Sequence, residues 1–510
     1  MDDFLAQFKA LVSGSDQGIG GTVDRLIQAM EPEAGKLFRL CGIPHQVDWR
    51  ILQVLNPSLT EENAKRLFQE FSGSSLMVFL EDSISFHDEV RPRLFQAWLK
   101  PEHEAEFQSV SRRLAGYFEK LTEAAEGAAK SSLASRAIFH LIGCDQDAGF
   151  KKIQERVTRL RHQYRFTECE SMLSQAEEYG PVLSRENRAW LAYGMGKLAA
   201  DNRQWDRASG FLSPVLEDEE GLNPALRIRL HNRMGMVHAG RHDWHQAIAS
   251  YSTGLRLAES TPDLKTSVHR LLYNMGMAHL ELGDWERASE YLNKSLESAQ
   301  ACRNTSGAAT SHNGLGNLYS RIGDSAASIA SYRNSLACLD QSEERFRKAQ
   351  VLSNLGICYG DTQAWEESNS ALSQSLEISR QAGDYHGQAM TLNNLARCAR
   401  NRKDFSQALQ LLEEAKGLLI KLNAAFDIAQ ISHHRAKVYK AMGNRDQAMK
   451  EYGDAIDAFS KLGEIGKADI AKEEFRHLND DGLPPLAIFS IIATILIIAI
   501  VIYLLIDPLS

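Results

Sequence analysis

Between Asn187 and Ile456 the apolar and small positions recur in a fixed order, seven times, with a period of about 40 residues. A small residue stands at Gly196, Gly235, Gly276, Gly316, Gly356, Ala396 and Ala436. A second follows twelve positions later, at Ala208, Ala247, Ala288, Ser328, Ser368, Ala408 and Ala448. A large residue comes next, at Leu212, Tyr251, Leu292, Tyr332, Leu372, Leu412 and Tyr452. Each period holds two stretches with the spacing of an amphipathic helix, separated by a short break such as LGDW or MGNR. Gly283, Gly323 and Gly443 sit where a first helix should stop, because glycine takes the left-handed conformation of a C-cap without steric cost. Asp284, Asp324 and Asn444 follow and can cap the second helix. Trp205, Trp244, Trp285, Trp365 and Phe405 then open it as packing anchors. The pattern predicts a mainly α, solenoidal stack of helical hairpins.

The small, aromatic and small positions resemble those of tetratricopeptide repeats. Units of this length are similar to the long repeats of the kinesin light chain and of polarity adaptors that bind extended peptides. The resemblance covers residues 148–478, with 150–178 as a degenerate leading unit carrying Cys169 in the second small position. The stretch Glu464–Leu478 is expected to close the array.

Two other segments have patterns of their own. In residues 22–100, helical stretches (Ala34–Cys41, Asp48–Leu55, Glu61–Phe71) precede two strand-like runs, Leu76–Leu80 and Ser83–His87, and a last helix from about Asp88. This is the order of a winged helix. The text SISFHDEVRPRL resembles the end of that domain in signal-transduction NTPases with numerous domains (the STAND class), with Phe86, His87 and Asp88 in the place of its Met-His-Asp motif. Residues 101–147 read as a helical connector, and 1–21 as a lead-in. Residues 486–506 form an uncharged run that as a helix spans roughly 32 Å, the thickness of a bilayer core. A linker (479–485) precedes it and a short tail (507–510) follows. Lys467, Lys472 and Arg476 lie before the span and no Lys or Arg lies after it, so the positive-inside bias expects a C-terminal anchor with the bulk in the cytoplasm. A bacterial inner membrane is the preferred location.

Charge and chemistry change this picture little. The net charge is −9, and residues 1–125 hold 13 Lys and Arg against 19 Asp and Glu, which argues against a nucleic-acid partner. The one glycine-rich stretch, Ser15–Thr22, has Ser15 and Gly21 where a phosphate-binding loop needs glycine and lysine, so no nucleotide is expected. Seven cysteines show no pairing rhythm and read as free thiols in a reducing compartment. No catalytic constellation, cofactor motif or metal-ligand spacing is present; His231, His238, His242 and His245 cluster without cysteines, and Glu217–Glu220 reads as a solvated acidic loop. The chain is expected not to be an enzyme.

The candidate site is a ladder of amides. Two or three positions before each first-helix small residue stand Asn232, Asn274, Asn313, Asn354, Asn393 with Asn394, and His434 beside His433. One position after it stand Asn317, Arg397 and Lys437. Positions three and four apart share a helix face, so these groups should line successive first helices. The resemblance implies that asparagines placed so hold the backbone of an extended peptide, since an amide both donates and accepts. Alternatively, the same groups satisfy neighbouring helices. Arg229, Arg270, Arg397 and Lys437 would suit an acidic ligand. The sequence thus points to a membrane-anchored interaction scaffold. The second reading is a membrane-tethered signalling or transcription regulator whose winged helix docks on an NTPase or on DNA.

Overall fold

The computed structural model describes residues 30–480 apart from 75, 163, 164 and 341–343, together with Val23, Ile27 and Gln28. The lead-in, the apolar run 486–506 and the tail lie outside the described residues. Among the described residues no helix is long and apolar enough to cross a membrane. The chain divides into two compact units, residues 1–267 and 268–510.

The first unit begins with α1 (Pro32–Leu40), α2 (Trp49–Leu55) and α3 (Glu61–Ser72). Asp48 caps α2 by accepting from the Ile51 N–H, and Thr60 caps α3 through Asn63 N–H. Strands β1 (Met77–Leu80) and β2 (Ser83–Phe86) form an antiparallel hairpin with Leu80 opposite Ser83, and Glu81 turns it at a φ of 49°. Val47 adds a bridge to Ile84 on the other side of β2. Helix α4 (Arg91–Trp98) follows, opened by the His87 carbonyl, which accepts from Val90 and Arg91. The sequence-predicted order of three helices, a hairpin and a helix is therefore present, with α4 starting three residues later than expected because Pro92 favours the first turn.

Helices α5 (Glu104–Ala124) and α6 (Gly127–Cys144) make up the connector. Next come α7 (Gln146–His162) with α8 (Phe166–Glu177), α9 (Arg185–Asp201) with α10 (Trp205–Glu217), and α11 (Pro224–Gly240) with α12 (Trp244–Ser260). One hydrophobic core runs from Val23 to Leu198. Its aromatic centre sets Phe38 edge-on to Phe71 and Phe86 at 5.0 and 5.1 Å, and Phe95 edge-on to Tyr179 at 5.2 Å. The Tyr179 hydroxyl donates to the Phe139 carbonyl at 2.9 Å, which satisfies the one polar atom of that ring.

The second unit is a tetratricopeptide-like stack of five hairpins. They are α13 (Val268–Glu281) with α14 (Trp285–Ala301), α15 (Thr305–Ile322) with α16 (Ser325–Leu339), α17 (Arg345–Asp361) with α18 (Trp365–Gln381), α19 (Tyr385–Asn401) with α20 (Phe405–Lys421), and α21 (Ala425–Ala441) with α22 (Arg445–Lys461). Helix α23 (Ile465–Asp480) ends it. Gly283, Gly323 and Gly443 take φ of 76°, 89° and 77° at the hairpin bends. The side chains of Asp284, Asp324 and Asn444 accept from the N–H groups of Arg287, Ala327 and Gln447, as expected for N-caps. Elsewhere the same left-handed position is held by Arg203, His242, Gln363 and Lys403, all with φ near 60°. The aromatic that opens each second helix is less uniform than expected. Trp205 packs its ring over Gly240 of the next repeat, whereas Trp285 is 40% exposed.

The two small positions and the large one form a single contact. In each hairpin the first small residue faces the large residue sixteen positions on, so the helices cross closely. A Cβ on Gly316 would come within 2.5 Å of the Tyr332 ring, and one on Gly356 within 2.6 Å of Leu372 Cγ. Where the second small residue is serine, its hydroxyl donates to the carbonyl of the first: Ser328 to Gly316 at 2.9 Å, Ser368 to Gly356 at 2.7 Å. Gly356→Val therefore overfills this crossing and should destabilise by about 1–3 kcal/mol. Gly356→Ala should cost less, since Ala396 and Ala436 occupy the equivalent places. Urea unfolding midpoints of the two variants test the ranking, and a valine variant as stable as the parent would contradict the close crossing.

Candidate peptide-binding face

The amide ladder of the second unit lies on its first helices, and most of it is half-buried rather than exposed. The side chains reach from one repeat to the next. Asn354 Nδ2 donates to Asn313 Oδ1 at 3.0 Å and lies 3.5 Å from Asn317 Oδ1. Asn394 Nδ2 donates to the Ser353 hydroxyl at 2.8 Å. Asn393 Oδ1 lies 2.5 Å from His434 Nδ1, and His433 Nε2 lies 2.8 Å from Glu474 Oε2 on α23. These four contacts share one sequence separation, 41 residues, the step from a first helix to its neighbour. Asn317 also accepts from the Tyr332 hydroxyl at 2.7 Å, which ties the ladder to the helix crossing below it. Asn274 is half-buried on α13, and Asn232 is half-buried on α11 of the first unit, 4.0 Å from Met236 Sδ.

These bonds satisfy neighbouring helices, but they do not exhaust the amides. An asparagine carries two N–H donors and an oxygen with two lone pairs, so one bond to a neighbour leaves capacity for a ligand. The positive charges are less available than the sequence suggests. Arg397 makes a two-pronged pair with Asp361, both contacts 2.6 Å, and Lys437 lies 3.0 Å from Glu474. With Arg397 and Lys437 paired, any preference for an acidic peptide rests on Arg229 and on the exposed Arg270, neither of which has an ion pair among the described residues.

Sequence reasoning missed the partners Ser353, Asp361 and Glu474. The first two sit at ordinary helix positions, and only the stacking of the repeats shows that they meet the ladder. In the acidic stretch 217–220, Glu217, Asp218 and Glu220 are exposed as expected, and one residue departs from that reading. Glu219 folds inward, with Arg227 at 2.8 Å and His231 at 3.0 Å, because those two side chains on α11 point back at it. Burial raises the Glu219 carboxyl, but Arg227 and His231 outweigh that and hold it below the ordinary value. Among the described residues no group of three or more His, Cys, Asp and Glu could hold a metal ion. All seven cysteines are free thiols, with Cys41, Cys169 and Cys358 buried.

Comparison with known proteins identifies the repeats. Residues 267–341, 347–420 and 429–462 match tetratricopeptide-repeat profiles. No curated protein is similar to this chain at a significant level. Among solved structures, a Signal Transduction ATPase with Numerous Domains protein with a tetratricopeptide repeat sensor, from Pyrococcus horikoshii, is 13% identical with a TM-score of 0.50, over 93% of this chain and 67% of its own. A Rap protein complexed with Competence and Sporulation Factor is 10% identical with a TM-score of 0.43, over 65% of this chain and 98% of its own. The protein NprR, in complex with its cognate peptide NprX, is 13% identical with a TM-score of 0.40, over 65% of this chain and 97% of its own.

Proposed function

We propose that this chain is a membrane-anchored scaffold that holds partner proteins or extended peptides along the first helices of its repeats. The observation that carries the reading is the amide ladder. One polar group or pair per repeat, buried or half-buried and bonded at a constant step from Asn313 to Glu474, offers hydrogen-bonding capacity at the regular spacing that an extended backbone needs. Backbone recognition of this kind gives affinity through main-chain bonds and leaves selectivity to the side-chain pockets between them. Anchoring rests on the uncharged run 486–506 and would fix the repeats to a surface, with the bulk on the cytoplasmic face. A second reading is a regulator whose N-terminal module docks on an NTPase. The fold likeness to the STAND protein, over 93% of this chain, favours keeping it. Winged-helix ancestry of residues 22–100 belongs to that reading.

Replacing the asparagines by alanine would be a poor test, because Asn354 and Asn394 also join neighbouring helices. A photo-activated benzophenone side chain placed at Ile357 or Lys437 reports on the first-helix face; one at the exposed Lys294 reports on the second helices. The expected result, in cells carrying the full chain, is a common adduct from Ile357 and Lys437 that is absent from Lys294. Adducts from Lys294 alone would move binding off the first helices and overturn the reading.

A further inference from the structure

We propose that the cleft enclosed by α7, α8, α9 and α11 in the first unit binds a small organic anion, an apolar or aromatic body carrying one carboxylate or phosphate. Every lining residue of this cleft belongs to the first unit, and none belongs to the amide ladder.

The cleft is open to solvent and has a cavity volume of about 70 Å³, and Phe150, Val157, Leu173 and Trp190 give it apolar walls. Lys197 and Arg229 also line it, together with the polar Gln154, Thr158 and Tyr193. The Arg229 guanidinium lies over the Trp190 ring, 5.3 Å from its centroid, so the aromatic face positions a cation at the edge of the cavity. Among the described residues neither Lys197 nor Arg229 has a carboxylate within ion-pair distance. The one acid nearby, Asp201, is taken by others. It is bonded to Arg161 and lies 3.6 Å from Arg233. Arg161 and Arg233 thus share a single carboxylate, and Lys197 and Arg229 are left without one. Burial, and then the charges of Arg161 and Arg233, hold the Lys197 ammonium down to about 8, with Asp201 opposing.

A structural role does not account for this arrangement. Lys197 is half-buried, and the part of its hydration lost in a largely apolar wall costs free energy that an uncharged residue would not incur. A bound anion supplies the missing charge, and the apolar walls supply the contact area for its body. Ligand sites commonly combine such walls with a few convergent polar groups. Since an anion raises the affinity of Lys197 for its proton, binding near pH 8 should take up part of a proton.

The test is calorimetric titration of the full chain with 3-phenylpropionate, with phenyl phosphate and with 3-phenylpropylamine. Saturable binding of at least one anion and none of the amine is expected, and the tighter anion identifies the head group. The heat should vary with the ionisation enthalpy of the buffer at about pH 8, as proton uptake requires. Lys197→Met keeps the apolar stem and should weaken anion binding about tenfold, as should Arg229→Gln. Unchanged thermal melts of the two variants would show that the loss is local. No saturable anion binding, equal binding of the amine, or unaltered binding by both variants would overturn the site.

Discussion

Replacing Glu178 by alanine is expected to destabilise the first unit by about 3–5 kcal/mol, at the lower end of that range. Glu178 follows α8 and holds the Arg91 guanidinium at 2.6 Å and His45 Nε2 at 2.8 Å. Arg91 is only 7% exposed. Its Nε and Nη2 donate to the Pro44 and Ile43 carbonyls, and its Cζ lies 5.2 Å from the Phe95 centroid. Without Glu178 a full positive charge would stay in an apolar, aromatic site with only two carbonyls around it. Such a deletion costs far more than the pair contributes when intact, because the stranded charge loses its hydration without compensation. The lower end applies since Glu178 keeps some contact with water, its side chain being 28% exposed.

The same group fixes a pH response. Burial raises the Glu178 carboxyl, but the His45 hydrogen bond and the Arg91 charge outweigh it, so the carboxyl sits below its ordinary value of 4.5. A carboxyl depressed by folding contributes stability that is full above the unfolded value and is lost as pH falls through the folded one. Glu178→Gln keeps the shape and one acceptor and should cost less than alanine. Thermal melts at neutral pH give the ranking; an alanine variant that melts with the parent would mean that Arg91 finds water or another partner.

This cluster also shows what the sequence could and could not disclose. The hairpins were legible because their signal is local and repeated: small residues at fixed spacing, glycine followed by a capping residue, an apolar stripe. At Arg203, His242, Gln363 and Lys403 the same bend exists without glycine, and no composition marks it. The amide ladder was legible as a set of positions. Its bonds were not, because a partner 41 residues away depends on how repeats stack, and the eye had no reason to read Ser353 or Glu474 as part of it. Long-range pairs without periodicity were the least visible. Arg91 and Glu178 are 87 residues apart, and Lys197 looks like any helical lysine until its neighbours prove to be arginines.

Acidification should weaken the second unit through His434, and His434→Asn should remove that part of the response. The ring is bonded to Asn393, stacks against His433 at 6.0 Å between centroids and has Lys437 on its own helix. Burial is the main cause that brings it down to about 3, followed by the charges of His433, Lys437, Arg400 and Arg397; Glu474, the nearby acid, is engaged by His433 and Lys437. A histidine lowered by folding takes its proton more readily in the unfolded chain. Stability is therefore full above about pH 6.5 and is lost as pH falls toward the folded value. Each pH unit in that window corresponds to about 1.4 kcal/mol, so the loss reaches roughly 2–3 kcal/mol by about pH 4.5. Asparagine already stands at the equivalent place in Asn274, Asn354 and Asn394 and can bond Asn393 without titrating. His433, which burial also lowers, remains in both proteins and leaves a shallower slope. Comparing unfolding free energies of parent and variant across this range isolates the term. Parallel pH curves for the two would show that the charge on His434 escapes to water, and that the face it shares with the amides is more open than its burial implies.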